Sequence, residues 1–358
     1  MRNKVVCLAA LAAAVALDGL AGERLSVDEL FSDGMVFAEN RPLRVFGRGE
    51  GEVEVRIGGL AAKARAEGGR WVAELPKAPR AGNVYELEVV MGGERKAFRN
   101  VRIGEVWLMA GQSNMQFKLK SEAEYPGNAA DDGDIAYFNC ARQESEKDAT
   151  GGWRTATADG VGEWSAVGWL FARGRKRLNG GRPVGIVGCN QGASTVQAWL
   201  PAAVATEARY ALPREELHAD HFSEAYFWNK PGLLYESMFK KVTPFAFTGV
   251  VWYQGESNTG KGEYKVYPEL LSRMIDVWRA DLRDPDLPFV LVRIADYDWR
   301  RDDGWRNIQK ALESMPSRRR NVVCVPCPVR DEDVKDIHPP AKGELARRLA
   351  EAADACRR

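Results

Sequence analysis

Between residues 24 and 100 apolar and polar side chains alternate with period two, in short runs broken by Gly and Asn. In GEVEVRIGG, Val53, Val55 and Ile57 fall on one face of a strand and Glu54 and Arg56 on the other; YELEVVMGG repeats this with Tyr85, Leu87 and Val89. Such runs predict a small antiparallel all-β sandwich over residues 23–100. From residue 101 the pattern changes. EVWLMA (105–110), IAYF (135–138), VGIVGC (184–189), FTGVVWY (247–253), FVLVRIA (289–295) and NVVCV (321–325) are continuous apolar runs, the mark of strands covered on both faces. Helical spacing lies between them. SAVGWLFARGRKRL offers Ser165 as N-cap with Val167, Leu170, Phe171 and Leu178 on one stripe, and residues 267–282 carry Tyr267, Leu270, Leu271, Met274 and Trp278. Strands alternating with helices predict a three-layer α/β domain with a mostly parallel sheet over residues 101–358. Ligands of such sheets bind at the carboxyl ends of the strands.

The N-terminus reads as a leader. Basic MRNK precedes the apolar run of residues 5–17 and the small residues of DGLAGE, the order of a secretory signal peptide, assigned to residues 1–22. The run is too short for a membrane anchor, and Cys7 lies inside it rather than after it, against lipidation. A secreted or periplasmic protein is expected. Removal of the leader takes away Arg2, Lys4 and Asp18, and the net charge goes from +1 to 0, which leaves no electrostatic footprint for nucleic acid. Cys140, Cys189, Cys324, Cys327 and Cys356 are irregularly spaced and make no disulfide scaffold; the Cys324/Cys327 pair reads equally as a bridge or as two thiols.

The candidate chemistry sits at strand ends. EVWLMA leads into GQSNM, where Ser113 stands between two amides; Met115 rules out the GxSxG nucleophile elbow, so the serine is judged by its partners. A serine hydroxyl needs a base, and its tetrahedral intermediate needs N–H donors. Of the three histidines, His338 in DIHPP follows a strand and a loop stiffened by two prolines, whereas His218 and His221 lie in a charged segment too poor in ligands for zinc. VGIVGC leads into NQGAST with Gly192, and FTGVVWY into QGESN with Gln254, Glu256 and Asn258.

The segments GEVWLMAGQSNM, VGIVGCNQGASTVQAW, KPGLLYESMFKKVTPFAFTGVVWYQGESN and DIHPPAKGELARRLA resemble the sialate O-acetylesterase family of SGNH-type hydrolases, which includes acetylxylan esterases. FSDGMVFAENRPLRVFGRG resembles that family's N-terminal β-rich domain. The resemblance implies a flavodoxin-like α/β/α sandwich that takes acetyl groups from sugar hydroxyls with neither metal nor cofactor, its partner being an acetylated carbohydrate such as sialic acid or xylan. It makes Ser113 the nucleophile and His338 the general base. Its oxyanion hole combines the Ser113 and Gly192 N–H groups with the Gln254 amide, or that of Asn258. Gln112, Asn114 and Trp199 are assigned to substrate contact, with Trp199 equally a core residue anchoring its helix. Two positions depart from the family pattern: Lys335 stands where an Asp three residues before the His is usual, and QGAS occupies residues 191–194. The acid orienting His338 is therefore open between Asp336 and Glu256, with Glu256 favoured. A carbohydrate-binding protein with an inactive esterase domain, and a lipid or thioester hydrolase, remain the alternatives.

Overall fold

The structure, a computed structural model, describes residues 25–142, 151–217, 223–300 and 302–356. The leader and the His218/His221 pair lie outside the described residues. Strands β1 (Ser26–Val27), β3 (Leu43–Arg48) and β6 (Arg70–Leu75) form an antiparallel three-stranded sheet. Facing it, β4 (Glu52–Ile57) pairs with β5 (Leu60–Arg65) and β7 (Val84–Met91), and β7 pairs with β8 (Glu94–Gly111), all antiparallel. The alternation works as the sequence requires: Val53, Val55 and Ile57 are buried, while Arg56 pairs with Glu54 and Glu88 outside. β2 (Val36–Ala38) departs from the all-antiparallel expectation. It pairs parallel to β8, and its three consecutive buried residues show no alternation.

β8 is the spine of the molecule. Its first half pairs with β7 and β2; its second half runs parallel between β11 (Val184–Asn190) and β12 (Gly249–Tyr253). The division expected at residues 100/101 falls inside this one strand. Across the central sheet the order is β10 (Arg154–Ala156), β9 (Asp132–Asn139), β11, β8, β12, β13 (Phe289–Arg293), β14 (Val322–Pro326). All these neighbours are parallel except β10 with β9. Helices α2 (Ala166–Leu178) and α7 (Gly343–Ala355) pack together in one outer layer, and α5 (Tyr267–Asp281) and α6 (Asp303–Arg318) in the other. Short helices α1 (Ser113–Gln116), α3 (Ala202–Ala205) and α4 (Leu233–Ser237) sit in the connections.

The hydroxyl of Ser165 caps α2 by accepting the Gly168 N–H at 3.0 Å, a contact worth ~1 kcal/mol. Val167 and Phe171 are buried as the helical stripe requires, but Leu178, its last residue, is exposed at the helix end. Beneath α5 the Trp199, Trp252 and Trp278 rings meet edge to face with centroids 5.5–6.2 Å apart. Among the described residues no helix is long and apolar enough to cross a membrane.

This topology sets the site. From β8 the chain builds β9 and β11 to one side, then crosses back to lay β12, β13 and β14 on the other. The carboxyl end of β8 is thus a topological switch point, where diverging connections leave a crevice. Gly111 closes β8 there at φ +135°, and a Cβ at this position would lie 2.1 Å from the Tyr253 carbonyl oxygen. Only glycine fits.

Candidate active site

Ser113 follows that glycine by two residues and opens the one-turn α1, so its backbone N–H has no acceptor within the turn. Its Oγ lies 2.8 Å from His338 Nε2, contributed by the loop that returns from β14 across the ends of β13 and β12. Within that loop the Asp336 Oδ1 accepts the His338 backbone N–H at 2.8 Å. The imidazole is half-buried. Burial first, and then the positive charge of Lys342, hold its pKa below the ordinary 6.5, with Asp336 opposing. A neutral imidazole is the form that accepts a proton from a serine.

Gly192 arrives at the end of β11, where a Cβ would lie 3.7 Å from the Ser113 Cβ. Its N–H donates to the Gln116 Oε1 at 2.9 Å. The QGESN loop after β12 takes a different part from the one expected. Gln254, fully buried, gives both Nε2 protons away, to the Ser194 carbonyl (3.0 Å) and the Asn258 Oδ1 (2.8 Å). Asn258, equally buried, donates to the Gln197 Oε1 (3.0 Å) and accepts the Val196 N–H (3.0 Å). Both amides tie the QGESN loop to the Gly192 loop; the two Gln254 donors are spent on that bracing, which takes Gln254 out of the expected oxyanion role, whereas Asn258 commits one of its two Nδ2 protons.

The residues flanking Ser113 are corrected in the same way. Gln112 Oε1 accepts the N–H groups of Gly255 (3.3 Å) and Ser257 (3.2 Å). Asn114, 1% exposed, joins three loops: its Nδ2 donates to Glu256 Oε1 (2.7 Å) and the Ile337 carbonyl (2.9 Å), and its Oδ1 accepts from Lys342 Nζ (2.7 Å). The Asn114 amide is not open to a substrate, and the Gln112 oxygen is committed to the QGESN loop. Trp199 is fully buried, with its Nε1 bonded to Ser194 Oγ, so it presents no ring to a sugar.

Of the two acids considered for His338, Glu256 bonds Asn114 through one oxygen and has no partner for its buried Oε2. Burial pushes its pKa up, against the hydrogen bond from Asn114 and the Lys342 charge. Asp336 is the carboxylate whose charge acts on the imidazole, while its hydrogen bond goes to the His338 backbone rather than to the ring. Among the described residues no carboxylate accepts a hydrogen bond from Nδ1.

Gln116 and Lys342 were not singled out in the sequence. Gln116 lies one turn beyond Ser113, but nothing in its surroundings signalled that it would meet Gly192. Lys342, at the entry of α7, is fully buried, its Nζ over the rings of Phe117 (5.1 Å) and Tyr253 (5.6 Å). Burial drives its pKa down.

A polar cavity of about 230 Å3 opens on the β9/β11 side of Ser113, lined by Gln116, Lys118, Arg142, Arg154, Asn190 and Gln191. The Arg142 guanidinium stacks over Phe227 (4.8 Å) and Trp228 (4.6 Å). A larger, mostly apolar cavity of about 740 Å3 lies beyond the Gly192 loop, against Thr195, Tyr210, Leu212 and Phe227. Among the described residues no three His, Cys, Asp or Glu side chains converge as a metal site, and all five described cysteines, Cys324 and Cys327 included, are free thiols.

A parallel sheet sandwiched by helix pairs, with its crevice at the end of β8, is the architecture of SGNH-type hydrolases. The sequence pattern of the family described as carbohydrate esterase, sialic acid-specific acetylesterase, matches residues 103–355, and the chain belongs to that family. The sialate O-acetylesterases of Homo sapiens and Pongo abelii are each 24% identical over 327 residues, covering 80% of this chain. The chain spans about 60% of the length of these curated relatives. The crystal structure of a carbohydrate acetylesterase from Xanthomonas citri matches 92% of this chain and 75% of its own at 30% identity, with a TM-score of 0.77.

Proposed function

We propose that this chain is a serine esterase that removes O-acetyl groups from carbohydrate, with Ser113 as nucleophile and His338 as general base. One observation carries the reading: Oγ and Nε2 meet at 2.8 Å at the switch point of the sheet. His338 Nε2 takes the hydroxyl proton as Oγ attacks the acetyl carbonyl. The tetrahedral oxyanion is met by the Ser113 N–H and, as Gln116 gives way, by the Gly192 N–H. Collapse passes the proton from the imidazolium to the departing sugar oxygen and leaves an acetyl-serine. Water, deprotonated by the same histidine, releases acetate.

The sugar we favour carries a carboxylate, as sialic acid does. Arg142 and Arg154 supply the polar cavity beside Gln116 with cations, next to the Lys118–Glu163 ion pair in its wall, and an arginine fork suits a carboxylate. Ser113→Ala tests the chemistry: acetate release from a generic acetyl ester should fall by at least a thousandfold while the melting temperature holds. A variant that kept several per cent of the wild-type rate would remove Ser113 from the role. Rates on acetylated sialic acid and acetylated xylan then decide the sugar.

A further inference from the structure

Four large apolar side chains are exposed among the described residues, and Trp299 is the most exposed at 71%, against 60% for Val84, 51% for Leu178 and 36% for Tyr125. A lone exposed apolar residue needs no explanation by itself. The position of this one does. Trp299 lies in the connection that leaves the carboxyl end of β13, on the catalytic edge of the sheet. β13 is two strands from β8, a lateral spacing of ~10 Å between the strands, and β8 ends at Gly111, two residues before Ser113.

That connection is fastened to both loops that build the site. The Asp298 N–H donates to the Val334 carbonyl at 2.9 Å, four residues before His338. The Arg300 guanidinium reaches Thr259, directly after QGESN, at its Oγ1 (3.1 Å) and carbonyl (3.3 Å). Below, Tyr297 packs against Trp305 with centroids 5.3 Å apart, and Asp302 caps α6. The backbone is held on three sides while the indole faces solvent. An amphipathic ring on a rigid mount loses little freedom when it takes a partner, and the apolar C–H face of a pyranose is the partner that fits an indole.

The polar cavity lies on the opposite side of Ser113, toward β9 and β11. A sugar whose acetyl carbonyl meets Ser113 therefore has the cationic cavity on one flank and Trp299 on the other. We propose that Trp299 is a stacking platform for the sugar next to the acetylated one, so that the substrate is a glycan chain rather than a free monosaccharide; this rests on the esterase reading above.

The test compares acetate release from an acetylated oligosaccharide with that from the corresponding free acetylated monosaccharide, in the sugar class that the wild type deacetylates faster. In Trp299→Ala the ratio of the two kcat/KM values should fall about five- to tenfold, the worth of one aromatic contact, chiefly through KM for the oligosaccharide. Trp299→Phe should restore part of the ratio. Leu178→Ala, at the far end of α2, should leave it unmoved. An unchanged ratio in Trp299→Ala, or a wild type that shows no preference for the chain over the free sugar, overturns the platform while leaving the esterase reading intact. A wild type that cleaves a generic acetyl ester but no acetylated carbohydrate overturns both.

Discussion

Removing the Asn114 amide should cost more than any other single change of similar size near the site. Its three hydrogen bonds, at 2.7, 2.9 and 2.7 Å, join the serine turn to the QGESN loop, the His338 loop and the entry of α7. Two of them run to ionisable partners, ~1.5–3 kcal/mol each, and one to a carbonyl, ~1 kcal/mol. Their sum is ~4–7 kcal/mol, and with water entering the space left by Asn114→Ala we take the lower end, ~4 kcal/mol. The loss includes the stranding of Lys342, whose side chain is fully buried. A second change, Lys342→Met, made on top of the first, should therefore return ~1–2 kcal/mol, because an apolar side chain there leaves no ammonium stranded without a partner. Urea unfolding of the two variants and the wild type measures both figures. The serine and the histidine sit on loops that Asn114 pins, and a displacement near 1 Å costs ~100-fold in turnover, so kcat on a small acetyl ester should fall by that order. If Asn114→Ala unfolded within 1 kcal/mol of the wild type and kept its kcat within twofold, the three-loop clamp would be refuted.

Two further outcomes follow from the electrostatics. A general base must be unprotonated, and burial with the Lys342 charge holds His338 below 6.5, so kcat/KM should rise with pH to a plateau whose midpoint lies under 6.5; Lys342→Met removes one lowering cause and should move that midpoint upward, which a pH–rate profile reads directly, a downward shift refuting it. Asp336→Asn preserves an oxygen that can accept the His338 N–H and removes only a charge that does not touch the ring, so kcat should fall about tenfold rather than the ~10,000-fold seen where an acid bonds the imidazole; steady-state rates on one ester separate the two.

The apolar runs and their punctuation were enough to place the central strands and the helices α2 and α5 to within a few residues, because strands buried on both faces and helices buried on one leave different periodicities. The parallel pairing of β2 was not legible, since three buried residues carry no period. Around the site the residue types identified the right loops but not their division of labour. Gln112, Asn114, Gln254 and Asn258 are amides at strand ends in either reading, and whether an amide faces a ligand or a neighbouring loop depends on which loops the sheet order brings together. The sequence distance between Asn114 and Lys342 gives no hint that they touch. Trp199 and Trp299 make the same point: one tryptophan is fully covered by the core and the other stands in solvent, and only the packing around α5 and the end of β13 tells them apart.

β8 has a consequence for how the molecule comes apart. Its eighteen residues are stitched to β7 at one end and to β11 and β12 at the other. Two bodies joined by a linker can melt separately, but two sheets that share a strand cannot, because losing either one removes the partners of the other. Heating should give one transition for the described chain, with no stage at which the β-rich part is lost and the central parallel sheet persists. A gene cut at residue 101 would begin in the middle of a strand, exposing an unpaired edge a few residues from the core of the central sheet. β2, β4, β5 and β7 are in this sense the margin of the central sheet rather than an appendage to it.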